Sequence, residues 1–303
     1  MCQLDEPRFQ NDNAARQYLE KTIWPDGPVC PHCGTIDSAY ATRKPGLYRC
    51  AEKGCRKDFT VTVGTVFERS KIPLHKWLLA SFLLCASKKG MSSHQLHRVL
   101  GVTYKTAWFM THRIREAMTT KPIGTLGGAS MPVEVDETYW GKEPKAVVRQ
   151  GPSHKMKVVS LVERYGQVRS FHVPRVNGKT LKPILEAHIA KDSHLMTDEH
   201  KVYNTPGKQF SAHSVVNHSL GEYSRGNVTT NHVEGYFSIL KRGLIGTFHH
   251  VGEQHLQRYV NEFDFRYNHR SSLGVSDSER AVAALKGISG KRLTYRRINE
   301  TQT

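Results

Sequence analysis

Four cysteines constrain the N-terminal part of this chain more tightly than any other feature. Cys30 and Cys33 are separated by two residues. Sixteen residues then intervene before Cys50, and four more before Cys55. Each pair is spaced for a turn that offers two thiolates to one ion, and the residues between the pairs, 39–43 and 46–49, read as short strands around Lys44-Pro45-Gly46. The pattern predicts a zinc ribbon, a small module folded by a tetrahedral four-cysteine Zn2+ site. His32 lies inside the first pair as a spectator. Cys2 falls in a terminal segment, and Cys85 lies in an apolar helical stretch where a core role is expected. Residues 1–10 are polar and charged and do not read as a secretory leader, so a metal site is expected rather than a disulfide framework.

Residues 11–23 have the periodicity of a helix, ended by Pro25, Gly27 and Pro28. Residues 73–120 are helical in pattern. Leu74, Trp77, Leu78, Phe82 and Cys85 make one apolar face, Ser92 is placed to cap a helix over 93–100, and Thr103 to cap another over 104–118. A helix, a short glycine turn and a basic helix form a helix-turn-helix arrangement, with Lys105, Arg113 and Arg115 as expected DNA contacts. The bland reading is a three-helix connector. The net charge of +17 favours a polyanionic partner.

Residues 121–131 are glycine-rich and read as a linker. After them the period changes. Val133 and Val135 alternate with Glu134 and Asp136, residues 157–163 and 167–173 read as further strands, 178–190 as a helix, 194–197 as a fourth, parallel strand, and 214–216 as a short fifth. A late helix carries Glu234 and Lys241. This α/β order is that of a ribonuclease-H-like fold, in which the first and fourth strands are neighbours. Asp136 and Asp198 would then come together, and the late helix would add Glu234.

Three carboxylates from two strands and a helix suit hard divalent cations, Mg2+ or Mn2+, rather than zinc. Two such ions roughly 4 Å apart serve phosphodiester cleavage by activating the attacking oxygen and stabilising the leaving one. Lys241 lies two helical turns beyond Glu234 on the same face, where it can meet a phosphate, with Arg242 beside it. Other chemistries fit poorly. Gly178-Lys179-Thr180 resembles the end of a P-loop, but Val173 stands where the leading glycine is required. There is no Ser-His-Asp arrangement and no dinucleotide fingerprint. The longest apolar stretch, 77–86, is too short for a bilayer, so an intracellular, nucleoid-associated protein without a membrane partner is expected.

Taken together, Cys30-Pro-His-Cys33-Gly, Val-Asp136-Glu-Thr-Tyr-Trp-Gly-Lys142, Thr-Asp198-Glu and Thr-Asn231-His-Val-Glu234-Gly-Tyr-Phe-Ser-Ile-Leu-Lys241-Arg-Gly resemble the DDE transposases of bacterial insertion sequences, in the zinc-ribbon-bearing group related to the Merlin transposons. Gly-Thr-Phe-His-His250-Val and Asn-Glu-Phe-Asp-Phe-Arg-Tyr-Asn268 extend the likeness over nearly the whole chain. The resemblance implies a nuclease and strand transferase that cuts at terminal inverted repeats, joins the ends to target DNA, and works as a homodimer or higher multimer on DNA. Some relatives use Asn at the third acidic position, so Asn231 and Glu234 both stand as candidates. The expected domains are an N-terminal helix and zinc ribbon over 1–70, the helix-turn-helix region over 71–120, a linker over 121–131, the catalytic domain over 132–285 and a basic tail over 286–303. Two competing readings are a DNA-binding regulator with a retired catalytic domain and a structure-selective nuclease of the same fold.

Overall fold

The computed structural model describes residues 3–119, 123–129, 131–148 and 150–294. Cys2, residues 121, 122 and 130 of the expected linker, and residues 295–303 of the expected tail lie outside the described residues. The chain divides into two units: Met1–Thr120 with Ser271–Thr303, and Lys121–Arg270. No helix among the described residues is long and apolar enough to cross a membrane.

The first unit opens with α1 (Asp12–Ile23), whose free N-terminal amides at Asn13 and Ala14 are capped by the Asn11 side chain at 2.8 and 3.1 Å. The cysteine module follows as a three-stranded antiparallel sheet, β1 (Ala39–Ala41), β2 (Tyr48–Cys50) and β3 (Asp58–Phe59). The first two strands lie where the spacing predicted them. Their apolar core amounts to Cys30, Cys50 and Phe59, with Trp24 and Tyr48 packed against it. So small a core cannot offset the conformational entropy of ordering the module.

Three helices come next: α2 (Leu74–Ala86), α3 (Ser93–Leu100) and α4 (Tyr104–Met118). The expected caps form, with the Ser92 hydroxyl accepting from the Gln95 amide at 3.1 Å and the Thr103 hydroxyl from the Thr106 amide at 3.2 Å. Gly101 ends α3 in the left-handed conformation at φ 60°, which only glycine adopts without strain.

The second unit is built on a five-stranded sheet of order β6-β5-β4-β7-β8. Its strands are β4 (Val133–Trp140), β5 (Met156–Glu163), β6 (Val168–Val173), β7 (His194–Asp198) and β8 (Ala212–Val216). The first three form an antiparallel meander, whereas β7 pairs in parallel with both β4 and β8. Between β6 and β7 runs α5 (Gly178–His188), and beyond β7 the chain makes a short α6 (Asn204–Gly207). A hairpin of β9 (Ser224–Arg225) and β10 (Val228–Thr229), absent from the sequence reading, leads into α7 (Asn231–Gly243), and α8 (Glu253–Asn268) completes the unit.

Both faces of the sheet are buried. Val158 and Val162 meet Val233, Phe237, Leu240 and Val260 of α7 and α8, while Val133, Val135 and Leu161 meet Leu181 and Leu185 of α5. That explains why β5 is buried from Met156 to Val162 with no polar alternation.

The outer edge of the sheet is closed by side chains rather than by another strand. Along β6, Asn268 of α8 accepts from the Val168 amide at 2.7 Å and donates to the Val168 carbonyl at 3.0 Å. Asp264 accepts from the Ser170 amide at 2.7 Å. Gln257 donates to the Ser170 carbonyl at 3.0 Å and accepts from the His172 amide at 2.7 Å. One helix face thus satisfies the alternate backbone groups that an edge strand would otherwise leave open for aggregation.

Two expectations change here. The segment expected as a linker is partly built into the sheet unit: Leu126 is buried, and its amide and carbonyl bond the His188 carbonyl and Ala190 amide at 2.7 and 2.9 Å. Gly127, at φ 82°, passes so close to Ser193 and Val133 that a Cβ would collide with both side chains. The final helix, α9 (Asp277–Lys286), packs on α2, α1 and α4 of the first unit through a face carrying buried Ala281, Ala284 and Leu285. The expected catalytic segment 132–285 therefore runs past the end of the second unit at Arg270.

Asp264 also accepts from the Ser170 hydroxyl at 2.7 Å and the Tyr236 hydroxyl at 2.5 Å. Replacing it with leucine strands three buried donors, so Asp264→Leu should lose about 3 kcal/mol or more of stability in urea unfolding. A loss under about 1 kcal/mol would show that the α8 side chains do not hold the edge.

Candidate active site

Strand pairing brings the first two carboxylates together. Val133 and Glu134 of β4 lie opposite Leu195 and Met196 of β7. Continuing that register by two residues sets Asp136 beside Asp198, which ends β7. Side chains alternate along a strand, so Glu134 and Asp136 share the face that α7 covers, and Glu137 turns to the other face. There the Tyr203 hydroxyl donates to Glu137 at 2.5 Å.

The third carboxylate is positioned by an interaction that sequence reasoning missed. Glu134 is fully buried, yet its two oxygens are saturated. One accepts from the His232 and Val233 amides at 2.8 and 3.2 Å, and the other from His232 Nδ1 at 2.8 Å and the Arg164 guanidinium at 2.9 Å. These amides are the unpaired donors of the first turn of α7. A strand carboxylate therefore caps the helix that carries Glu234, and also meets the positive end of its dipole. The available signal was an acidic residue two places before Asp136 in an otherwise buried strand.

Glu234 is half-exposed. Its Oε1 accepts from the Thr230 hydroxyl at 2.7 Å and lies 3.3 Å from His218 Nε2. Neither Thr230 nor His218 was anticipated from sequence. Asp198 Oδ1 accepts from the His200 amide at 3.1 Å, and Asp136 Oδ1 from the Glu137 amide at 2.7 Å.

The electrostatics of Asp136 report how the group is assembled. Burial, then the negative charges of Glu137, Asp198 and Glu234, push its carboxyl up to about 8 against the single opposing bond from the Glu137 amide. A carboxylate so disfavoured by its neighbours is what a cation site needs before its cation arrives. The donor set is all oxygen, which fits Mg2+ or Mn2+. The carboxylate oxygens are not drawn into one tight cluster: among the described residues, the four cysteines are the set of potential ligands within 4.8 Å of one another.

Asn231 is exposed at the start of α7, with its amide bonded to the Thr229 hydroxyl at 3.1 Å. Lys241 and Arg242 are exposed near the far end of the helix, where the Arg242 guanidinium donates to the Ser238 carbonyl at 3.0 Å.

In the first unit, Cys30, Cys33, Cys50 and Cys55 converge as the spacing predicted. The sulfurs of Cys30 and Cys55 are 3.8 Å apart, and those of Cys33 and Cys50 are 3.6 Å apart. A tetrahedron with Zn–S bonds of about 2.3 Å has S–S edges of roughly 3.8 Å, so the cluster fits a zinc ion. The same separations are far beyond a disulfide bond.

The expected DNA contacts on α4 divide. Lys105 is exposed in the first turn. Arg115 is fully buried and donates to the Thr111 hydroxyl at 3.0 Å, so it cannot reach DNA. Arg113 is turned inward, donating to the Glu68 and Leu293 carbonyls, each at 3.2 Å, with its guanidinium over the Phe109 ring. Beyond its first turn α4 is a packing helix, and these two arginines are spent on carbonyl and hydroxyl acceptors within the fold.

The raised Asp136 carboxyl gives a pH dependence with a definite sign. Between 3.8 and about 8 the folded chain keeps a proton that the unfolded chain has released, so rising pH destabilises the metal-free fold across that window. Asp136→Asn removes the penalty. In thermal unfolding of the zinc-loaded chain without Mg2+ or Mn2+, the variant should be more stable than the parent above about 8, and the gap should close as pH falls toward 3.8. A gap independent of pH would mean that Asp136 does not feel its neighbours.

Comparison with known proteins bears on the cysteine module and on the second unit. Residues 10–58 match a transposase zinc-ribbon domain, and residues 125–268 match an ISXO2-like transposase domain. An uncharacterized protein in transposable element ISH50 of Halobacterium salinarum is 27% identical over 280 residues, covering 85% of this chain and 91% of that protein. An uncharacterized transposase-like protein of Haemophilus influenzae is 27% identical over 96 residues, covering 32% of this chain and 76% of that one. With both transposase domains in order on one chain, and a likeness to a mobile-element protein that spans most of it, the chain belongs to the zinc-ribbon-bearing insertion-sequence transposases.

Proposed function

We propose that the chain is a metal-dependent DNA transposase that cuts at the terminal inverted repeats of its insertion sequence and joins the freed ends to target DNA. The reading rests on one observation above the rest: the β4–β7 register sets Asp136 beside Asp198 and α7 brings Glu234 near them, so that burial first, then the charges of Glu137, Asp198 and Glu234, raise the Asp136 carboxyl to about 8. The sheet order, with a three-stranded meander followed by parallel β7 beside β4, supports a ribonuclease-H-like assignment for the second unit. The catalytic domain then closes near Arg270.

In this mechanism Asp136, Asp198 and Glu234 would hold the divalent ions. When bound, the ions supply activation of the attacking water or 3′-hydroxyl and stabilisation of the leaving 3′-oxygen. Asp136, whose carboxyl is raised to about 8, would have to be deprotonated to serve as a ligand. Glu134 fixes the approach of α7, and with it the distance of Glu234 from the strands. Thr230 and His218 hold the Glu234 carboxylate in a defined orientation. Asn231 flanks Glu234 one turn earlier, as an alternative oxygen donor or a substrate contact. Lys241 and Arg242, exposed on the same helix, meet DNA phosphates. The ribbon and helical region bring the DNA, and the assembly acts as a multimer on paired ends.

Incubating the full chain with a labelled duplex of its element's end and Mg2+ should yield cleavage at the element boundary and, with target DNA, joined products. Asp136→Ala, Asp198→Ala and Glu234→Ala should each lower the cleavage rate at least 100-fold, the order typical of losing an essential charge-stabilising group. Parental rates in all three would defeat the metal-site reading. Cutting of branched DNA with no joining would assign a structure-selective nuclease instead.

A further inference from the structure

Next to the first turn of α7, within the second unit, lies a cavity of about 490 Å3 whose lining includes Pro132, Arg164, Tyr165, His194, Met196 and Asn227. Met196 precedes Asp198 by two residues in β7, so both side chains leave the same face of the sheet. That spacing puts the cavity wall roughly 7 Å along the strand from Asp198. The volume is in the range that holds a small planar ring system. No step of the proposed cleavage uses it.

We propose that this cavity takes one unpaired DNA base, turned out of the duplex beside the phosphate that is cut. The proposal rests on the reading that the second unit cuts DNA ends, and it adds how the strand is gripped there. Enzymes that draw a base out of the stack hold it between aromatic or apolar side chains, with polar groups at its edge. The cavity offers both kinds of group.

Three observations carry the assignment. Tyr165 is 72% exposed and turns the β5–β6 hairpin at φ 61°, a left-handed conformation that strains a bulky residue. Neither closing the hairpin nor filling the core calls for a ring there. The ring is nonetheless held, meeting His232 edge to face with centroids 5.4 Å apart, and His232 is fixed in turn by Glu134. It therefore stands at the cavity before a partner arrives, which spares entropy on contact. The second observation is charge. Arg164 is paired with Glu134 at 2.9 Å and also donates to the Asn227 carbonyl at 2.9 Å. Burial, then the Arg164 charge, holds His194 below the ordinary imidazole range, with its Nε2 2.8 Å from the Ser214 hydroxyl. With Arg164 paired and His194 neutral, the wall suits an uncharged ring rather than a phosphate. Third, the lining is mixed. Met196 and Pro132 give apolar surface to pack on a base, and the exposed Asn227 side chain offers a donor and an acceptor to its edge.

The test is fluorescence anisotropy with the full, zinc-loaded chain and no added Mg2+ or Mn2+. The probes are duplexes that span the boundary between the element beside this gene and its flanking DNA. In a series of them, one nucleotide at a time around the cut phosphate is made abasic. On the unmodified duplex Tyr165→Ala should bind roughly 10-fold more weakly than the parent, the order of one lost stacked base. Asn227→Ala should weaken binding too, and Tyr165→Phe, which keeps the ring, should bind as the parent does. On the duplex that lacks the captured base, and on no other, Tyr165→Ala and the parent should bind within about two-fold of each other. A Tyr165→Ala loss that persists at every abasic position, or parental binding by both alanine variants, would overturn the proposal and leave the proposed chemistry standing. A chain that shows this coupling yet fails to cut end duplexes with Mg2+ would overturn the chemistry alone.

Discussion

One buried carboxylate organises the second unit. Glu134 lies in a strand whose neighbours are valines, where an unpaired charge would cost several kcal/mol. It is retained because five donors converge on it: two helix amides, one imidazole nitrogen and two guanidinium nitrogens. The arrangement ties β4, the strand that carries Asp136, to α7, the helix that carries Glu234. Apolar packing of Val233 and Phe237 on the sheet would tolerate sliding. Directional bonds to one carboxylate do not, and metal ligation needs positions held to a fraction of an ångström. The opposite edge follows the same logic, because Gln257, Asp264 and Asn268 hold α8 to β6 through backbone hydrogen bonds.

The site stores electrostatic tension that this rigidity makes possible. Four acids lie close enough for Asp136 to feel the other three, and a flexible site would let them separate. Glu137 is withdrawn to the far face, where Tyr203 supplies a donor. Asp136 in the middle of β4, Asp198 at the end of β7 and Glu234 in the first turn of α7 are left. Each carboxylate there has at least one protein donor but keeps oxygen lone pairs free for a cation.

Much of this was legible in the sequence. Capping residues at Ser92 and Thr103 fixed two helix starts, because a hydroxyl that satisfies a first-turn amide is a local signal. Alternation in 133–140 and the strand order predicted which aspartates would be neighbours, and cysteine spacing located the zinc ligands. Other features depend on tertiary packing that no local pattern records. Arg113 and Arg115 read as surface cations, and which way they face is decided by the carbonyls and hydroxyls packed around α4. Leu126 sits among glycines that signal a linker, yet it completes the core beside Ile189. His218 approaches Glu234 only through the fold of the β8–β9 region.

The central claim is that Asp136, Asp198 and Glu234 form a divalent-cation site completed by displacement of a proton from Asp136. Calorimetric titration of Mn2+ into the zinc-loaded chain, repeated in buffers of different ionisation enthalpy, tests it directly. Below about 8 the account predicts Mn2+ binding with proton release that declines as pH rises through that value, and loss of the released proton in Asp136→Asn. Mn2+ binding of parental strength and proton release in Asp136→Asn, or no binding by the parent, would contradict it.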